Sequence, residues 1–159
     1  MKNALIIFAL CFATIVGATD LAKSSVFQIR LVIDESSANS EKMKEQLKAV
    51  DSGKIAYSIV EVQKAVLLDQ AALESVSVST NYQGNPAINC RFTSEGKKRF
   101  AEITDENIGK RIAVIIDGKL ITAPKVAGPI TAGDLEVTGN FSEREAKDLT
   151  AKINAAIAK

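Results

Sequence analysis

Phe27, Ile29, Leu31 and Ile33 alternate with the polar residues Gln28, Arg30 and Asp34, with Val32 the one interruption. That period of two predicts a strand with one buried face. In the Ser-, Lys- and Glu-rich stretch 35–53, Met43, Leu47 and Val50 fall at i, i+4 and i+7. The spacing is open to a short amphipathic helix or a solvated loop. Residues 55–62 predict a second strand, and Val66, Leu67 and Leu68 lead into a helical turn or loop over 69–74. Val76 and Val78 start a strand that the turn Tyr82-Gln83-Gly84-Asn85-Pro86 folds back into 87–92, giving a hairpin.

From residue 94 the period changes. Ser94 or Thr93 can cap a helix that turns Phe100 and Ile103 inward and Lys97, Lys98, Arg99 and Glu102 to water, and Asn107-Ile108-Gly109 ends it. Ile112 to Ile116 is apolar on both alternating faces, as a strand covered on both sides would be. Asp117-Gly118 tolerates the positive φ of a type I′ hairpin turn. Residues 119–126 return, with Pro124 marking an edge or a bulge because it cannot donate to a ladder. Gly133 turns the chain into 135–138. Ser142-Glu143-Arg144-Glu145 is a capping box, after which Ala146, Leu149, Ile153 and Ile157 line one helix face. The order predicts an α+β fold, a mostly antiparallel sheet with helices packed on one face.

The run Asn107-Ile-Gly-Lys-Arg-Ile-Ala-Val-Ile-Ile-Asp-Gly-Lys119, then Thr122-Ala-Pro124, Ile130-Thr-Ala-Gly133 and Thr138-Gly-Asn-Phe-Ser-Glu-Arg-Glu-Ala-Lys-Asp-Leu149, resembles the first periplasmic domain of the SecD (SecDF) protein-export family, and most of all its head. Asn85-Pro86, Phe92-Thr-Ser-Glu-Gly96 and Phe100 fit the same family, and 27–32 and 67–78 do so more weakly. On this resemblance 19–80 is similar to the base of that domain and 81–159 to its head, with the two expected to form one compact unit. Several of the matching residues are turns and caps, which speak for fold more than for activity. The resemblance implies a domain outside the cytoplasmic membrane that catches emerging polypeptide. The family continues into a transmembrane bundle whose proton-coupling residues have no counterpart here, so the expectation is a detached head-like module rather than a self-powered motor.

Composition narrows the chemistry. Twenty basic and 19 acidic residues leave a net charge of +1, and there is no histidine. Near-neutrality gives no bulk attraction to nucleic acid or an anionic membrane. The missing imidazole removes Ser-His and Cys-His pairs and the commonest metal ligand. Lys2 precedes the apolar run 4–16, and Val16-Gly17-Ala18 supplies the small residues of a signal-peptidase site. The chain is therefore expected to be periplasmic or secreted, with residues 1–18 a signal peptide cleaved after Ala18; an uncleaved anchor is the alternative. Cys11 lies inside this run, so Cys90 would be the one cysteine after processing and could form no internal disulfide.

Ser94-Glu95-Gly96-Lys97 formally matches the Ser-x-x-Lys of serine hydrolases, but the companion Ser-Asp-Asn and Lys-Thr-Gly elements are missing. A helix cap and a solvated lysine account for the pair. Glu143 and Glu145 fit the first turn of a helix, where negative charge offsets the macrodipole. Asp34-Glu35 and Asp105-Glu106 lack the spaced oxygens and glycine of a calcium loop. The basic clusters Lys97-Lys98-Arg99 and Lys110-Arg111 read as solvated faces. Cys90 alternates with Ile88 and Phe92 and reads as an inert core thiol.

What remains is surface. The segment 121–130 combines apolar side chains with two prolines, and a strand edge beside it could accept an extended polypeptide by strand addition. Ile121, Thr122, Pro124, Val126 and Ile130 are the candidate polypeptide contacts, against the competing reading that Ile121 and Val126 pack under the last helix. The expectation is a non-enzymatic polypeptide-binding module without cofactor, metal or nucleic-acid partner, accessory to export or envelope folding. The alternatives are an assembly module docking on one folded envelope protein and a hydrolase built on Ser94 and Lys97.

Overall fold

The computed structural model describes residues 25–46 and 56–159. The expected signal peptide and Cys11, together with Leu47, Val50 and Ile55, lie outside the described residues. Among these residues nine strands and two helices follow in the order β1 (Phe27–Ile33), β2 (Ser40–Gln46), β3 (Tyr57–Gln63), β4 (Leu68–Asp69), β5 (Leu73–Thr80), β6 (Pro86–Phe92), α1 (Ser94–Glu106), β7 (Ile112–Ile116), β8 (Lys119–Thr122), β9 (Asp134–Thr138) and α2 (Glu143–Ile157). A 3-10 turn, Gln70–Ala72, sits between β4 and β5. The architecture is α+β, and every strand pairing is antiparallel. The strands form two sheets where the sequence suggested one: a larger sheet ordered β2-β3-β1-β7-β8, with β4 also on β1, and a smaller one ordered β5-β6-β9.

β7 shows why both sheets are stable. Ile112, Val114 and Ile116 point into a main core with Phe27 and Ile29 of β1, Ile88 and Cys90 of β6, and residues of both helices. Ala113 and Ile115 point the other way, into a second cluster with Val60, Val62, Leu120 and Ala123. At about 1.5–3 kcal/mol for each large apolar side chain fully removed from water, these two layers dominate the stability. β1 lies between β3 and β7, so its expected single buried face is replaced by two: Gln28 and Arg30 are buried as well as Phe27 and Ile29.

One local expectation is corrected and one open choice is decided. Residues 40–46 form a strand paired with β3 at every position from Ser40 to Gln46. With Met43 turned to the second cluster, Glu41 pairs with Arg30 and Glu45 with Arg111, so its two carboxylates find partners outside the strand. The α1 cap is the hydroxyl of Thr93, which accepts from the Gly96 amide at 3.0 Å, while Ser94 is the first helical residue. Other local signals hold. Asp117 and Gly118 have φ of 51° and 74°, and the Ser142–Glu145 capping box is formed in both directions. β8 stops at Thr122, before Pro124, and is the terminal strand of its sheet.

Both helices anchor on the small sheet. The rings of Phe92 and Phe100 lie 4.8 Å apart, joining β6 to α1. On α2, the Asn154 carboxamide accepts from the Val76 amide at 3.0 Å and donates to the Val76 carbonyl at 2.7 Å. Among the described residues, no helix is long and apolar enough to cross a membrane.

Candidate functional site: a carboxamide-lined cleft beside the terminal strand

Four segments far apart in sequence enclose a cleft of about 300 Å³: the end of β2, the turn between β5 and β6, β8, and the connection from β9 to α2. Each is fixed locally. In the 81–86 turn the Asn81 side-chain oxygen accepts from the amides of Gln83 and Asn85, both at 3.0 Å, and Gly84 takes the positive φ the reversal needs. The β9–α2 connection approaches β8 through Gly139, where an added Cβ would lie 2.8 Å from Ile121 Cγ2 and 2.7 Å from the Phe141 ring. Any larger residue there would push against Ile121 or the Phe141 ring.

Among the described residues lining the cleft, Glu45 is the one charged side chain. It is 8% exposed, and both its oxygens accept from Arg111 Nη2 at 2.7 Å, while Arg111 Nε donates to the Ala123 carbonyl at 2.8 Å. The guanidinium thus ties β2 to the end of β8 and cancels the charge of the cleft wall. Arg111 does not belong to a solvated basic face, as its cluster with Lys110 had suggested. The rest of the lining is neutral: the carboxamides of Gln46, Asn81, Gln83, Asn85 and Asn140, with Ile121, Pro86 and Phe141 among the apolar surfaces.

The candidate polypeptide contacts separate. Ile121 and Thr122, both half-buried, line the cleft; Pro124 is exposed outside its lining. Val126 is 6% exposed within the main core, and its backbone bonds to Lys110 and Gly109, so it offers no free edge. Half-buried Ile130 is held by its amide, which donates at 2.9 Å to the hydroxyl of fully buried Thr104. Ile121 and Ile130 also touch the main core. Val126 thus packs in the main core, while Ile121 borders core and cleft together. The carboxamide wall escaped the sequence reading: Asn85 and Pro86 were legible as a turn, but nothing in their pattern places that turn opposite β8.

The remaining candidates sit in structural roles. Ser94 and Lys97 are both exposed on the first turns of α1, with no hydrogen bond between them. Lys147 beside Glu143 holds its carboxyl below the usual range, and the Ser142 backbone amide, donating to Glu145, does the same there. Burial pushes the Cys90 thiol up to about 12. No group of three or more metal-ligating side chains occurs among the described residues.

The SecDF P1 head subdomain model matches residues 41–157. The protein translocase subunit SecD of Magnetococcus marinus is 31% identical over 118 residues, covering 74% of this chain and 22% of that protein. SecD of Rickettsia typhi is 41% identical over 93 residues, covering 58% and 18%. The chain spans about a fifth of the length of these curated relatives. SecDF in its super-membrane-facing form shares the fold with a TM-score of 0.63 at 24% identity, over 82% of this chain and 19% of that one. A structure described as a membrane component SecDF that enhances protein export gives 0.62 at 23% identity, over 82% and 62%. Matched by that family model over most of its length, the chain belongs to the SecDF P1 head subdomain family.

Proposed function

We propose that this head-like domain holds unfolded or translocating polypeptide weakly and reversibly outside the cytoplasmic membrane, in support of protein export, and does so without making or breaking bonds. The observation that carries this reading is the neutral cleft beside β8, walled by Ile121 and Thr122. β8 has a side without a hydrogen-bonded strand partner; β2 lies close along part of it, so an extended chain reaches β8 at the cleft and not along the whole strand. The relatives are named as protein translocase subunits, which agrees with a polypeptide client.

The test is site-specific photo-crosslinking in the full chain, with the crosslinker at Thr122 and, as control, at exposed Lys98 on α1. An unfolded client should crosslink at Thr122 and not at Lys98, and Gln83→Arg, which crowds the cleft from an exposed turn, should weaken the signal. Equal labelling at the two positions, or none at Thr122, would overturn the reading.

One observation favours a second reading, docking on a single folded envelope partner. Tyr57 and Ile59 stand 59% and 57% exposed on the outward face of β3. A crosslinker at Ile59 that captures one dominant folded protein, with no unfolded client at Thr122, would select it.

A further inference from the structure

We propose that the cleft reads the main chain of its client and not its side chains, through the carboxamides of Gln46, Gln83, Asn85 and Asn140; this rests on the polypeptide-holding reading above. A carboxamide offers an N–H donor and a C=O acceptor in one plane, the same pair that each peptide unit presents. Because Arg111 neutralises Glu45, no unpaired charge in the described lining selects basic or acidic clients. The apolar surface of Ile121, Pro86 and Phe141 offers contact without charge beside these groups.

The protein already uses this chemistry on itself. β5 is a terminal strand of the smaller sheet, and Asn154 stands where a neighbouring strand would, bonding both the N–H and the C=O of Val76. A single carboxamide thus satisfies both outward polar groups of one buried residue on a terminal strand. In the cleft the residues that carry such groups come from three segments and line an open space beside the β8 terminal strand. Asn81 is not among the proposed readers, since its oxygen is already engaged in the turn; Gln83 donates one N–H to the Tyr82 hydroxyl at 3.1 Å and keeps its oxygen and second N–H for a client.

The experiment uses the full chain with the crosslinker at Thr122, an unfolded client, and two labelled short Thr-Val peptides, one of them methylated at alternate backbone nitrogens. The unmethylated peptide is expected to label Thr122, and a Ser-Leu peptide to do so within about threefold. Methylation should reduce labelling about tenfold or more, because each methyl removes a donor and blocks approach. Asn140→Leu, at an exposed loop position, should lower labelling by both unmethylated peptides about equally. Client labelling at Thr122 with methylated and unmethylated peptides equal would overturn main-chain readout and leave the holding function standing. Loss of client and peptide labelling together would overturn both, as would capture of a chito-oligosaccharide where no peptide labels.

Discussion

Two buried side chains carry testable energetics at the residue scale. Cys90 is fully buried, and its thiol is pushed from an ordinary value of 9.0 up to about 12 by loss of solvent. As pH rises past the unfolded value, the unfolded chain loses a proton that the folded protein keeps, so folding stability falls, by at most about 1.4 kcal/mol per pH unit. The urea midpoint should therefore drop more steeply between about pH 8 and about pH 10 in the unchanged protein than in Cys90→Ala. Parallel slopes would show that the thiol ionises in place. Glu45 offers the second case. Glu45→Gln leaves the Arg111 guanidinium, 39% exposed, without its counter-charge, at an expected cost of about 1–3 kcal/mol in urea unfolding. A cost indistinguishable from zero would mean that water already screens the pair. The Glu45–Arg111 pair was not evident from local pattern: Arg111 read as part of a solvated basic face until folding brought the two together.

Contacts between elements decide the sign of one substitution against its propensity. Gly96 lies in α1, where alanine normally gains about 1 kcal/mol over glycine. A Cβ there would stand 2.1 Å from the Ala72 carbonyl oxygen and 2.9 Å from Ala72 Cβ, against the 3-10 turn. Overlap with backbone costs about 1–3 kcal/mol or more, so Gly96→Ala is expected to destabilise, whereas Gly128→Ala, with nothing within 4 Å, should be close to neutral. Equal melting temperatures for the two variants would contradict the close approach. Helices and tight turns were legible because their signals are local: a capping box at Ser142, a positive-φ turn at Asp117-Gly118, an inward stripe through Phe100 and Ile103. β2 was not. Met43 is its one apolar residue, and a strand of mostly charged residues exists only because β3 supplies a ladder and Arg30 and Arg111 supply counter-charges.

For the whole molecule, the main core joins the two sheets. It takes Phe27 and Ile29 from β1, Val114 from β7, Ile88 from β6, Val137 from β9 and Ile153 from α2, so neither sheet can expose its face without opening the other. A single cooperative unfolding transition is expected, with tyrosine fluorescence and far-UV circular dichroism superimposing across a urea titration. Separated midpoints would show that the larger sheet and the small sheet with its helices melt independently. The sequence alone determined the α+β class, the two helices, the hairpins and the twice-covered strand β7, since each follows from backbone chemistry and periodicity within a few residues. Only the tertiary structure decided that there are two sheets, that β1 is buried on both faces, that Arg111 is an internal tie, and that a turn at 81–86 meets β8 across a cleft. Those outcomes depend on pairing and charge compensation between segments far apart in the chain, where no local period carries the information.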